Sequence, residues 1–346
     1  MIQGQNDPMA RSPDYPMLLL TGATGYLGSG IARELIARHQ PFRVLLRDAK
    51  RLGFDPAACH CEVASGDLRD REGLRSALQG VDVVIHAAAL VKMWVRDRRD
   101  FWRVNVEGLQ NLLQAAEQAG VQRVVYTSSF IALGPSADVH AGEELHNAGP
   151  YSDAYEESKA RALEWLRGKG LRRFPVIVMF PGVIYGPGPK TEGNLVGGMI
   201  DQYLAGKFPG LLGSGEQRWS FAFMPNVVNA HLAAIEKGRP GEEYVLGGDN
   251  RSLNEFFRIL AGFTHVRRPV RHLPFAVGKF VGAMELVRAR AFSHPPKLTP
   301  GVVEIFKHDW VYSSAKAIRD LGYGVAPLEE GILKTLEGRT PPVILR

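Results

Sequence analysis

Cysteine is almost missing from this chain. Its 346 residues include two, Cys59 and Cys61, with only His60 between them. Such close neighbours cannot be bridged without strain, and no second pair stands by to complete a zinc site. A disulfide scaffold is therefore excluded, no metal site is expected, and a reducing, cytoplasmic setting is. Long apolar runs are missing too: no stretch reaches the length needed to span a bilayer. Residues 1–16 are polar, hold three prolines and lack a signal-peptide core, so they read as a flexible leader. Charge of one sign is scarce. Lys plus Arg is 42 against 36 for Asp plus Glu, a net +6 spread along the chain. That excess suits a small anionic ligand at least as well as nucleic acid, and no nucleic-acid partner is expected. With 45% hydrophobic and 23% charged residues, what remains is an ordinary globular protein of about two domains.

From Met17 the pattern is regular. An apolar run at 17–20 ends in a glycine-rich turn, and Leu27, Ile31 and Leu35 then recur at helical spacing. Strands are expected at 42–46, just before Gly66, at 81–86, at 124–129 and at 176–180. Helices are expected at 72–78, around Leu109–Leu112–Leu113–Ala116, and at 155–166. This alternation implies an α/β fold, a Rossmann-type doubly wound parallel sheet over residues 17–182. Beyond Pro181 glycine and proline cluster and the helices scatter. Residues 183–346 are expected to form mainly a smaller C-terminal α/β substrate lobe, with some segments returning to the sheet. Ser252-Leu253-Asn254-Glu255 has the form of a capping box. Residues 273–292 mix apolar side chains with Lys279, Arg288 and Arg290. They are compatible with a plain surface helix, a lid over a pocket or a membrane contact. The basic flank including Arg267, Arg268 and Arg271 could meet an acyl carrier or nothing at all.

The turn Thr21-Gly22-Ala23-Thr24-Gly25-Tyr26-Leu27-Gly28 follows a strand and opens a helix. Glycines there let backbone approach a pyrophosphate, and the helix start supplies free amides and partial positive charge. At the end of the second strand an acidic residue reads a ribose 2′-hydroxyl, whereas a basic one accommodates a 2′-phosphate. Arg47 holds that position, with Asp48 beside it, so NADPH is expected in preference to NADH.

Tyr155 and Lys159 are four apart on an expected helix and share one face. A tyrosine with a pKa of about 10 is a reluctant acid near neutrality. A neighbouring ammonium brings it toward the working range. Ser129, at the C-terminal end of a strand, is placed to hold a carbonyl oxygen.

These motifs, together with Gly66-Asp67-Leu68-Arg69-Asp70, His86-Ala87-Ala88-Ala89, Tyr126-Thr127-Ser128-Ser129 and Pro181-Gly182-Val183-Ile184-Tyr185-Gly186, run through nearly the whole chain after residue 16. The sequence resembles an extended short-chain dehydrogenase/reductase, within the branch of dihydroflavonol 4-reductases and 3β-hydroxysteroid dehydrogenases. The resemblance implies that Tyr155 donates the proton and that Lys159 binds the nicotinamide ribose while tuning Tyr155. Ser129 would bind the substrate oxygen, with Ser128 the lesser candidate. Gly22, Thr24, Gly25, Tyr26, Leu27 and Gly28 would cradle the dinucleotide. Asp67 and Leu68 would flank the adenine, Ala87 and Ala88 line the cofactor, and Pro181 and Val183 pack near the nicotinamide. His86 and Asn105 read as core residues. A homodimer through the helices near 109–116 and 155–166 is implied as well. One departure stands out: Phe223-Met224-Pro225-Asn226 replaces a His-Val-Asp-Asp run common in relatives.

The substrate is less legible. Met93 and Trp94, with Trp219 and Phe221, suggest a pocket for a hydrophobic ketone or aldehyde. The same aromatics fit a lobe core equally well. The alternative is an NDP-sugar epimerase or dehydratase using bound NAD, with Arg218 meeting the diphosphate.

Overall fold

In the computed structural model, residues 16–264, 266, 270–292, 294–337 and 339 are described. Residues 1–15, Arg267 and Arg268 lie outside them. The first half of the chain runs β1 (Leu18–Thr21), α1 (Tyr26–Ala37), β2 (Phe42–Leu46), β3 (Cys61–Ser65), α2 (Arg71–Ala77), β4 (Val83–His86), α3 (Arg99–Trp102), α4 (Gly108–Gln118), β5 (Arg123–Thr127), α5 (Ala154–Trp165), α6 (Leu171–Arg173) and β6 (Val176–Pro181). The rest contributes β7 (Val183–Tyr185), α7 (Leu195–Leu204), β8 (Leu211–Leu212), β9 (Arg218–Phe223), α8 (Met224–Glu236), β10 (Glu243–Leu246), β11 (Asp249–Ser252), α9 (Leu253–Gly262), β12 (His272–Leu273), α10 (Phe275–Phe292), α11 (Pro300–Ile305), α12 (Ala315–Leu321) and α13 (Leu328–Glu337).

β1, β4 and β6 are buried at every position. They are aliphatic runs of the kind that a sheet covered on both faces requires. Seven parallel strands pair in the order β10-β6-β5-β4-β1-β2-β3. The chain thus winds outward from β1 in one direction, then crosses over to β4 and winds in the other. The reversal falls between β1 and β4, and ligands bind at the C-terminal strand ends beside such a switch point. One sheet face packs Leu19, Val84, Val124 and Val176 against α2, α4 and α5. The other packs Leu18, Leu20, Val44 and Ile85 against α1 and α8. Gly30 of α1 faces Met224 of α8 so closely that a Cβ would stand 2.7 Å from the thioether sulfur. β10 and α8 come from beyond Pro181 yet lie on the main sheet.

The remaining strands form small sheets above the C-terminal edge. β7 and β11 flank β9, and β8 pairs with β12. The Ser252–Glu255 capping box forms as expected. Ser252 Oγ accepts from the Glu255 amide at 3.1 Å, and Glu255 Oε2 accepts from the Ser252 amide at 2.9 Å.

Candidate functional site

The turn after β1 is built for close approach. Gly22 has φ +81°, and a Cβ there would lie 2.6–2.8 Å from the backbone of Ala87 and Ala88. A Cβ on Gly28 would lie 2.0 Å from the Gly22 carbonyl oxygen. The Gly25 amide donates to that same carbonyl at 2.9 Å, closing the turn. Thr24 sits at its tip, while Tyr26 and Leu27 begin α1. Helix α1 has no side-chain cap and no acid in its first turn, so its leading amides remain free to meet an anion. A cradle that any side chain would fill, opposite a helix start, fits a pyrophosphate. The hydroxyl of Tyr26 ties this turn to the second half of the chain by donating to the Gly186 carbonyl at 2.9 Å.

Beyond β2, Arg47 is exposed and enters no salt bridge or hydrogen bond among the described residues. Asp48 spends its carboxylate on its own turn, accepting from the Lys50 amide at 3.0 Å. After β3, Asp67 is held below the usual carboxylate range by hydrogen bonds from Arg69, with Arg47 adding to the effect. Leu68 is buried beside it. Ala87 and Ala88 follow β4, and Ala88 donates from its amide to Thr21 Oγ1 at 3.3 Å. Pro181 ends β6 and Val183 starts β7, both buried. All of these positions border the C-terminal edge of the sheet.

Helix α5 starts at a cap: Asp153 accepts from the Glu156 amide at 2.8 Å. That start fixes the helical register of Tyr155 and Lys159. Ser129 lies two residues beyond β5 and itself caps a short turn by accepting from the Ile131 amide at 3.3 Å. The Ser129 hydroxyl lies close enough to the Tyr155 phenol to act on it, and Lys159 stands one helical turn farther along α5. Burial pushes Tyr155 up to about 12, the Ser129 hydroxyl pulls it down in part, and Asp153 raises it further. Sequence reasoning placed an ammonium in control of this phenol; here desolvation outweighs any such pull. Lys159 is fully buried, and desolvation lowers it to about 8. Its Nζ donates to the Thr127 carbonyl at 3.3 Å and lies 5.4 Å from the centre of the Tyr126 ring.

Neighbouring polar groups are structural. His86 stacks on Tyr126 at 5.5 Å, and its Nδ1 lies 2.7 Å from Thr21 Oγ1. Burial drives it to about 3, so it stays neutral. Asn105 accepts from the Leu90 amide at 2.7 Å and donates to Ser158 Oγ at 2.9 Å. It thereby ties the loop after β4 to α5. Ser128 is buried, and neither its hydroxyl nor that of Tyr126 has a hydrogen-bond partner among the described residues.

Tyr155 opens onto a cavity of about 450 Å³. Met93, Trp94, Phe101, Leu286 and Ala289 supply its apolar walls, with Arg96, Arg98, Asp153 and Arg290 among the polar ones. Of the expected substrate residues, Met93 and Trp94 reach it. Arg218, Trp219 and Phe221 do not line it. Trp219 packs on Phe306 at 4.7 Å and Phe221 stacks on Phe256 at 5.2 Å, both in the lobe core. Arg218 donates to the Ala137 carbonyl at 2.9 Å and pairs with Asp309. Aromatic composition alone could not separate core from pocket. Sequence reasoning missed Arg96, Arg98, Phe101, Asp153 and Leu286. Only Asp153 carried a local signal, an acid three residues ahead of Glu156 at a helix start. Among the described residues, no cluster of His, Cys, Asp and Glu could hold a metal ion, and both cysteines are free.

A protein-family model described as the NAD dependent epimerase/dehydratase family matches residues 18–247. The sterol demethylase protein B of Methylococcus capsulatus is 33% identical over 285 residues, spanning 82% of this chain and 84% of the relative. A 3-beta-hydroxysteroid dehydrogenase of Mycolicibacterium neoaurum is 28% identical over 332 residues, spanning 92% and 89%. Among solved structures, the crystal structure of gox2253 superposes with a TM-score of 0.76 at 32% identity, covering 93% of this chain and 97% of that one.

Proposed function

The chain belongs to the NAD dependent epimerase/dehydratase family, and from that premise we propose that it is an NADP(H)-dependent oxidoreductase interconverting a hydrophobic ketone or aldehyde and its alcohol. The observation that carries this reading is that Tyr155 lines an apolar cavity, with the Ser129 hydroxyl close enough to act on its phenol and Lys159 one turn away on the same helix. The dinucleotide, when bound, supplies or accepts a hydride at its nicotinamide ring. The glycine turn and the free amides of α1 hold its pyrophosphate, Lys159 its ribose, and Asp67, Leu68, Ala87, Ala88, Pro181 and Val183 line its length. Ser129 orients the substrate oxygen. Tyr155, protonated at neutral pH because burial holds it near 12, gives its proton to that oxygen during reduction and takes one back during oxidation. Walls formed by Met93, Trp94, Phe101 and Leu286 favour an apolar substrate body over a sugar, in keeping with the sterol and steroid names of the two relatives.

Two further features support the finer points. Asp48 is engaged by its own turn, while Arg47 is exposed and makes no hydrogen bond or salt bridge among the described residues, which favours the 2′-phosphate of NADPH. The outer faces of α4 and α5, with Trp102, Val106, Gln110, Arg161, Glu164 and Trp165 around one shallow groove, suit a homodimer contact. The cofactor preference is tested by titrating the protein with NADPH and NADH while following fluorescence. NADPH is expected to bind tighter, and Arg47→Ala is expected to weaken NADPH about 10-fold or more while sparing NADH. Tighter NADH binding, or NAD that survives purification, would move the chain toward the epimerase cycle.

A further inference from the structure

Helix α10 is apolar on both sides, and only one side is covered. Its inner face is made of small residues. A Cβ on Gly278 would stand 2.6 Å from Leu212 and 3.3 Å from Val303, and one on Gly282 2.9 Å from the Thr299–Pro300 backbone. Ala289 is buried, and with Leu286 and Arg290 it walls the cavity that holds Tyr155. The outer face carries the large side chains. Phe280, Met284, Val287 and Phe292 are 69%, 57%, 62% and 70% exposed, and Val277 and Val281 are exposed beside them. Spacings of three and four put 277, 280, 281, 284 and 287 on one stripe. A helix that is apolar all round is ordinarily buried, and a contiguous exposed apolar stripe marks a contact surface.

The surrounding charge indicates what covers it. Lys279, Arg288 and Arg290 on the helix, and Lys297 just after it, stand against one helical acid, Glu285. That acid is spent on Arg288 and on the Lys297 amide. Glu304, on α11, is shared between Lys279 and Lys307. Arg96 and Arg98 at the cavity rim are exposed and add to the cationic fringe. A second copy of this face would bring the same positive charge; an anionic lipid surface brings the opposite one.

We propose that the outer face of α10 docks on an anionic membrane surface, its apolar stripe entering the acyl boundary and its basic fringe meeting lipid phosphates. The helix lies in the surface and does not cross it: among the described residues, no helix is long and apolar enough to span a bilayer. One side of α10 then touches lipid while the other lines the cavity, so a lipid-dissolved molecule reaches Tyr155 with little exposure to water. The inference goes beyond the proposed reaction and stands apart from it, because docking requires neither substrate nor cofactor.

The test is co-sedimentation of the full chain with vesicles of phosphatidylcholine alone, or with about one-third phosphatidylglycerol, at about 0.1 M salt. Binding is expected to the anionic vesicles and to fall several-fold as salt is raised toward about 1 M. The triple variant Phe280→Ser, Met284→Ser, Val287→Ser is expected to bind at least about 10-fold more weakly, with unchanged melting temperature and NADPH affinity. Three results would overturn the proposal: no sedimentation with anionic vesicles, binding indifferent to lipid charge or to the triple variant, or a wild-type dimer that the variant turns into a monomer.

Discussion

A phenol can give up a proton only if it still holds one, and Tyr155 keeps its proton because burial denies the phenolate water. The titrating group near neutrality is instead Lys159, lowered to about 8. Its sign is definite. Below about 8 the ammonium is charged and, in the proposed reaction, would hold the ribose; above it that charge is lost. The kcat/KM profile is therefore expected to fall as pH rises through about 8, and Lys159→Arg, which stays charged, should move that limb upward. A profile flat between pH 7 and 9 would show that Lys159 is not the controlling group. The placement of Tyr155 and Lys159 on one helix was readable in the sequence, because they stand four residues apart. Environment was not. Desolvation depends on what Tyr126, His86 and Ser129 bring from other strands, and no spacing records it.

At the scale of elements, the strand–turn–helix at β1–α1 was legible because glycine leaves a distinctive mark where a side chain cannot fit. Gly28 makes this testable. An alanine there would press on the Gly22 carbonyl from 2.0 Å, and that contact lies in the turn rather than in the core. Gly28→Ala is expected to weaken NADPH binding by about 10-fold or more, as read by fluorescence titration, while the far-UV circular dichroism stays unchanged. Affinity equal to wild type would mean that the turn does not cradle the cofactor. Other elements were legible in part. The helix expected around Leu109–Ala116 begins earlier in space, as α3 and a π-helical turn at Arg103–Glu107 run into α4. That turn carries Asn105 inward to Leu90 and Ser158, an arrangement period-counting cannot foresee. In α10 both faces are apolar, so amphipathicity could not say which side packs. The answer lies in residue size, small inward and large outward.

Over the whole molecule, alternating strands and helices predicted a doubly wound parallel sheet and six of its seven strands, but not β10, because buried parallel strands and their crossover helices have separate periodicities. The upper part of the site was harder to foresee. Its cavity is assembled from the loop after β4, the start of α5, α10 and the start of α11, segments as much as about 200 residues apart whose meeting no local pattern encodes. That assembly is why Met93 and Trp94 reach the cavity while Trp219 and Phe221 fill the lobe core. It also explains why the proposed proton donor is easier to name than the molecule it would act on. The most direct measurement is NADPH oxidation, followed by absorbance, with a panel of steroid-like and other hydrophobic ketones, comparing the wild type with Tyr155→Phe. Consumption of NADPH in step with alcohol formation, reduced about 100-fold or more in Tyr155→Phe, is the predicted result. Turnover of a nucleotide sugar with no net change in a tightly held NAD would contradict it.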